Sequence, residues 1–179
     1  MDIQTQHPVI ETILSDWRDE IGDDYAGYRG HVYRMFNYCL AIYPSSEEEK
    51  TKLAIAACFH DIGLWSDHTV DYLLPSIAQA ERYLKEARWE EWSEEIALMI
   101  EWHHKVLPYR DGRYPLVEVF RKGDLVDFSL GFFKCGLPGS LVRQVKAAIP
   151  NAGFHQFLLK GAKEWFVEHP FSPPPFMRW

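Results

Sequence analysis

The sequence predicts an all-α fold, a compact multi-helix bundle, and three observations predict it. Apolar residues recur at intervals of three and four along most of the chain, which puts them on one face of a helix. Pro44 and Gly63 close two of these stretches, as residues that end helices do. No stretch alternates apolar and polar residues convincingly, as a half-buried strand does.

Taken in order, Val9, Ile10, Ile13, Leu14 and Trp17 predict a first helix that stops before Gly22. Val32, Met35, Phe36, Cys39, Leu40 and Tyr43 predict a second, from about His31 to Tyr43. Ser45 or Ser46 then supplies an N-cap, Glu47 to Glu49 complement the positive end of the helix dipole, and Leu53 to Phe59 form an apolar body ending at Gly63. Pro75 to Ala87 is a fourth helix, and Ser93 caps a fifth that runs to His103 and His104. The loop from Leu107 to Pro115 contains Pro108, Asp111 and Gly112 and breaks the chain. Leu116 to Phe128, Gly139 to Ala148 and Phe154 to Glu168 complete the set.

The bulk numbers bound the function. A chain of 179 residues that is 47% apolar can bury one sizeable core, so a single domain over residues 1–179 is expected, with a proline-rich tail at about 170–179. Aromatics at 15% offset the entropy of ordering and argue against disorder. A net charge of -7 with no Lys or Arg run excludes a general surface for a nucleic-acid polymer, yet a bound divalent cation would still let the chain hold a small anion. Cys39, Cys58 and Cys135 have no paired spacing and read as buried thiols. Met1 to Glu11 carries no leader pattern, and no window approaches the roughly 18 apolar residues of a membrane span. The expectation is a cytoplasmic protein with a small-molecule substrate and no membrane partner; the sequence carries no signal for oligomeric state.

Four segments bring metal-ligand side chains to predicted helices: His31, the pair His60-Asp61, the pair His103-His104, and Asp124. Imidazole with carboxylate suits divalent iron, manganese or zinc better than calcium. Adjacent residues on a regular helix point about 100° apart, so His60 and Asp61 need a loosened last turn to face one ion. Gly63 offers that exit. Each residue also has a plainer reading. Asp124 fits a surface ion pair beside Arg121 and Lys122, His103 and His104 fit a helix C-terminus, and His68 fits a loop. His7, His155 and His169 lie outside the pattern, and Trp89, Trp92 and Trp102 read as packing anchors.

A His-Asp dipeptide alone is weak, since chance gives roughly 0.5 per chain of this composition. Here "YRGHVYRMFNYC", "AIAACFHDIGLW", "IEWHHK" and "FRKGDLVDFSLG" occur in the order H, HD, H, D. Over roughly residues 25 to 130 this resembles the HD superfamily of metal-dependent phosphohydrolases. The resemblance implies an HD-domain helical bundle with His31, His60, Asp61 and Asp124 as metal ligands. Asp127 is the fallback for Asp124, which is preferred because Gly123-Asp124 is similar to the small-residue-then-Asp pattern of the final ligand.

"HHKVLPYRDGRYP" is similar to the paired-histidine loop of the HD-GYP branch, which implies that His103 and His104 help hold a second ion. His68 is the candidate for the further histidine of such dinuclear sites. One or two divalent transition metal ions (iron, manganese, zinc or similar) are therefore expected. The chain departs from individual branches at Leu64, where nucleotidase-type members often carry Glu and HD-GYP members Lys, and at Lys105, where the pair is usually followed by Glu. The leading expectation is hydrolysis of a small phosphorylated metabolite or nucleotide, a monoester or diester. Asp61 is the expected catalytic residue, and Arg34, Lys105 and Lys122 are the expected substrate-binding cations. The alternatives are a dinuclear-iron oxygenase of the same superfamily and a degenerate module that binds a ligand without turnover.

Overall fold

A computed structural model describes residues 2–172, and the proline run at 173–175 lies outside the described residues. Among these residues the regular structure is all helical, in the order α1 (Pro8–Asp16), α2 (Arg18–Ile21), α3 (Tyr25–Ile42), α4 (Glu47–Phe59), α5 (Gly63–Ser66), α6 (Leu73–Ala87), α7 (Ser93–Trp102), α8 (Pro115–Phe128), α9 (Gly139–Ala148) and α10 (Phe154–Glu168).

Local chemistry sets most of these boundaries. Ser46 caps α4 reciprocally: its hydroxyl accepts from the Glu49 amide at 3.3 Å, while the Glu49 carboxylate accepts from the Ser46 amide at 2.7 Å. Pro8 and Pro115 stand in the first turns of α1 and α8, where an amide proton has no helical partner. Ser93 departs from its expected role: it is the first residue of α7, after a short 3-10 turn over Glu90–Trp92, and its side chain makes no cap.

α3 is the central helix. It packs chiefly along α8, with α4 beside it, and α4 in turn meets α1, α6 and α7. One apolar cluster runs from Ile10 on α1 through Val32, Phe36, Ile55, Phe59, Met99 and Phe120 to Phe154 on α10. Phe120 is fully buried in it, so its truncation to Ala would cost about 3–5 kcal/mol. Trp89, Trp92 and Trp102 pack on the flank of this cluster. Cys39 and Cys58 are buried and Cys135 half-buried, all as free thiols. None of the described helices is long and apolar enough to cross a membrane.

Candidate metal centre

The facing sides of α3, α4, α7 and α8 bring four distant segments of sequence to one buried point. His31 comes from the middle of α3, His60 and Asp61 from the turn after α4, His103 and His104 from the end of α7, and Asp124 and Asp127 from α8. His31, His60, Asp61, His103 and Asp124 are each at most 4% exposed. So many buried polar groups without apolar replacement need partners or an ion.

The His60-Asp61 problem is solved by tightening the chain rather than freeing it. After Phe59 the backbone closes with three-residue bonds, from Ile62 N–H to Phe59 C=O at 3.1 Å and from Leu64 N–H to Asp61 C=O at 3.0 Å. Gly63 does not leave the helical region; it begins α5. A side chain there would collide with the Tyr72 carbonyl and the Pro75 ring, so glycine lets the start of α6 close over the turn. The Ser76 hydroxyl then accepts from the Gly63 amide at 3.0 Å.

Three imidazoles are oriented by bonds to their outer nitrogens. His60 Nδ1–H donates to the Ala57 carbonyl at 2.8 Å and His103 Nδ1–H donates to the Ile100 carbonyl at 2.6 Å, the same bond to the residue three back at two helix ends. Each satisfies a carbonyl that the ending helix leaves open. His31 Nδ1–H donates to Asp127 Oδ2 at 2.8 Å. All three rings therefore carry a proton on the outer nitrogen and turn Nε2 to the interior, the orientation that metal-ligating histidines adopt.

The interior spacings fit a cation. His31 Nε2 and His60 Nε2 stand 2.9 Å apart, about the 3 Å separating two nitrogen ligands at right angles on an ion that each meets at about 2.1 Å. Asp61 Oδ2 is 3.1 Å from His60 Nε2 and 3.9 Å from His31 Nε2. Its other oxygen, Oδ1, lies 3.5 Å from His103 Nε2. Both Oδ1 and that Nε2 are buried without a hydrogen-bond partner. Two sets of donors converge closely enough to hold an ion, His31 with His60 and Asp61, and Asp61 with His103 and His104. Asp61 belongs to both. Asp124 lies between them, with Oδ1 3.4 Å from His31 Nε2 and Oδ2 4.0 Å from His104 Nδ1.

The electrostatics follow from this crowding. Burial lowers the His31 pKa to about 4, so the ring is neutral at pH 7. Burial also lowers His104 well below the usual range, helped by the neighbouring His103. Burial opposes ionisation of Asp61 as well, but the imidazoles of His60 and His103 outweigh it and hold the carboxyl well below the usual range. Burial pushes Asp124 up to about 7, with Asp61 and Asp127 adding repulsion.

Asp127 does not face the interior. It grips His31 from behind and pairs with Arg34, whose Nε and Nη2 donate to its two oxygens at 2.7 and 2.9 Å. The Arg34 Nη1 is taken by the Pro150 carbonyl at 2.8 Å. This expected substrate-binding cation is thus buried against Asp127, behind His31. Lys122 pairs with Glu118 at 3.4 Å, and the Lys105 carbonyl accepts from Arg121 at 3.1 Å. Arg34, Lys105 and Lys122 are all absent from the described lining of the cavity above the centre. His68 is exposed, two residues past the end of α5 with φ 49°, and lines that cavity without joining either donor set.

Two residues passed over in the sequence sit at the site. Tyr72 Oη lies 2.5 Å from His104 Nε2, and burial raises its pKa well above the usual phenol. Phe154 stacks on His31, with ring centroids 4.1 Å apart and planes at 12°, and the next residue, His155, donates from Nε2 to the Asp127 carbonyl at 3.0 Å. Neither had a readable signal. Both come from helix starts whose contact with α3 or α7 depends on tertiary packing.

The HD domain family model matches residues 28–122, just over half of the chain. No curated protein and no solved structure matches it.

Proposed function

This chain belongs to the HD domain family, a family of metal-dependent phosphohydrolases, and from that premise we propose that it hydrolyses a phosphate ester of a small metabolite or nucleotide at a centre ligated by His31, His60, Asp61 and Asp124, with His103 and His104 completing a second position. The observation that carries this reading is Asp61: one carboxylate, ionised and buried, whose two oxygens face two different histidine pairs.

A divalent ion bound there supplies a Lewis acid for the phosphoryl oxygen and lowers the pKa of a bound water toward about 7. The chain's residues do the rest. His31, His60 and His103 donate from Nδ1 to Asp127, Ala57 and Ile100 and so hold three Nε2 atoms toward the interior. Asp61, ionised throughout the working range, orients the attacking water by accepting its proton in a hydrogen bond. Tyr72 keeps its phenolic proton and fixes the His104 ring. Water oxygen bonds to phosphorus as the ester P–O bond breaks; the water proton ends on the departing alkoxide, giving an alcohol and, from a monoester, inorganic phosphate.

The test is elemental analysis of protein purified without chelator, followed by phosphate release from a panel of esters with added manganese, iron or zinc. His60→Ala and Asp61→Ala are expected to lose both tight metal and turnover while remaining helical. Stoichiometric metal retained in the double variant would overturn the site assignment. Two irons per chain with dioxygen consumption and no phosphate release would overturn the hydrolytic reading.

A further inference from the structure

The metal ligands lie at the floor of a cavity of about 580 Å³, where His31, Asp61, His104 and Asp124 are exposed to its interior. That is an ordinary size for a small-molecule site. Its walls are of a different character. Phe157, Leu158, Trp165 and Phe166 descend from α10, and Leu64 and Phe128 face them. Polar groups among the described lining residues include His68, Thr69, Tyr72 and His155; no lysine or arginine is among them. α10 begins at Phe154, past the end of the family match at residue 122; that part of the wall and Asp124 lie outside the match, whereas His31, His60, Asp61, His103 and His104 lie within it.

These observations decide between two kinds of phosphate ester. A nucleoside triphosphate or similar polyanion needs cations spaced along its phosphates, usually Arg or Lys placed to pair with them. Among the described residues this cavity offers positive charge only at its floor, when metal is bound, and walls that would strip water from any further charge without replacing it. An apolar body, by contrast, gains from every methylene it buries there. Resting on the phosphohydrolase reading above, we propose that the substrate is a monoester with a single phosphate on an uncharged, predominantly apolar alkyl or aryl group, the phosphate meeting the floor and the apolar group filling the space under α10.

Binding of non-hydrolysable phosphonates to the full-length, metal-loaded protein tests this separately from turnover. Calorimetry with methyl-, butyl-, hexyl- and phenylphosphonate is expected to show affinity rising about fourfold per added methylene, with a negative heat-capacity change. Hexylphosphonate should bind at least about 50-fold tighter than methylphosphonate, and a methylene-bridged nucleoside triphosphate more weakly than hexylphosphonate. In Leu158→Lys, which sets a charge in the wall, the hexyl-to-methyl ratio should fall at least about tenfold; Leu158→Asn should lower it in the same direction and serves if the lysine variant misfolds. Equal affinity for the methyl and hexyl compounds, or preference for the triphosphate analogue, would overturn the proposal while leaving the hydrolase reading intact. Phosphate release from hexyl phosphate is measured in parallel. The affinity trend without release of phosphate from any ester would overturn the hydrolase reading and the assignment as substrate with it, leaving an apolar-anion binding site.

Discussion

Asp61 Oδ1 stands 3.5 Å from Nε2 of His103, and neither of these buried atoms has a hydrogen-bond partner. The outer nitrogen of the ring already donates to Ile100, so only Nε2 is left to face the carboxylate. A buried acceptor facing a buried acceptor is repulsive unless a cation stands between or beside them. The same reasoning applies to His31 Nε2 and His60 Nε2 at 2.9 Å. Each pair belongs to a donor set that includes Asp61, and on the reading proposed above each set marks a position that a cation would fill.

The double variant His103→Ala with His104→Ala is therefore expected to halve metal content, from two ions per chain to one, as read by elemental analysis. The His31, His60 and Asp61 set is untouched and keeps its ion. If the pair served only to close the end of α7, metal content would stay the same and about 1 kcal/mol of stability would be lost.

Asp127→Asn separates the brace from the ligand. The substitution leaves Arg34, 2% exposed, without its charged partner. Removing one member of a buried ion pair costs about 3–5 kcal/mol, read by urea unfolding of the metal-free protein. It also leaves His31 and Arg34 a single neutral amide oxygen in place of the two anionic oxygens that now accept from them, so metal affinity should fall by about 10- to 100-fold. Unchanged affinity would show that His31 needs no charged partner behind it.

Much of this fold was legible in the sequence because it is written in local terms. The α4 capping box, the Pro115 start of α8 and the limits of α9 and α10 follow from neighbours along the chain. The start of α3 was not. The sequence puts it near His31, whereas it begins at Tyr25, because Gly27 and Gly30 interrupt the apolar spacing. Their reason is tertiary: a Cβ on them would stand 2.9 Å from the Ala152 carbonyl and 2.8 Å from the Pro150 carbonyl. The same segment seats Phe154 on His31. At the site, the order H, HD, HH, D marked the elements that converge and the Gly123-Asp124 pattern favoured Asp124 over Asp127, but the pairing of Asp127 with His31 and Arg34 was invisible. Asp124 and Asp127 are three residues apart on one helix, and only the position of α3 decides which faces the interior and which faces Arg34.

Glu118 ties the loop after His104 to α8 and gives that loop a pH dependence. Its carboxylate accepts from Arg121 Nε and Nη2 at 2.8 Å each and from the Tyr109 amide at 2.9 Å. Burial opposes its ionisation, but Arg121 and that amide win and lower its pKa. A carboxyl with a depressed folded pKa contributes stability above its unfolded value, near 4.5, and the contribution is lost as pH falls through the lower folded value. Glu118→Gln should thus lose about 1–2 kcal/mol at pH 7 and converge with the parent at strongly acid pH, as read by thermal melts across pH. Hydrogen exchange of the Tyr109 amide should quicken in the variant.

Gly123 precedes Asp124 on the face of α8 that packs against Met35 and Cys39 of α3. A Cβ there would collide with the Cys39 Sγ and stand 3.1 Å from the Met35 carbonyl. Glycine in a helix interior sacrifices about 1 kcal/mol relative to alanine, so Gly123→Ala would be favourable but for that collision. In the parent background the collision should win, for a net loss of about 1–2 kcal/mol, because the thiol is fully buried and cannot swing away. Spreading α8 from α3 also draws Asp124 away from His31, now 3.4 Å distant, so metal affinity should fall with stability. Cys39→Ala removes the sulfur that is struck. Adding Gly123→Ala to that variant should then be neutral or stabilising, and should restore metal affinity to that of Cys39→Ala alone. A double-mutant cycle is expected to give a coupling of about 1–3 kcal/mol. Additive effects would mean that the Met35 carbonyl, rather than the thiol, sets the approach of the two helices that carry His31 and Asp124.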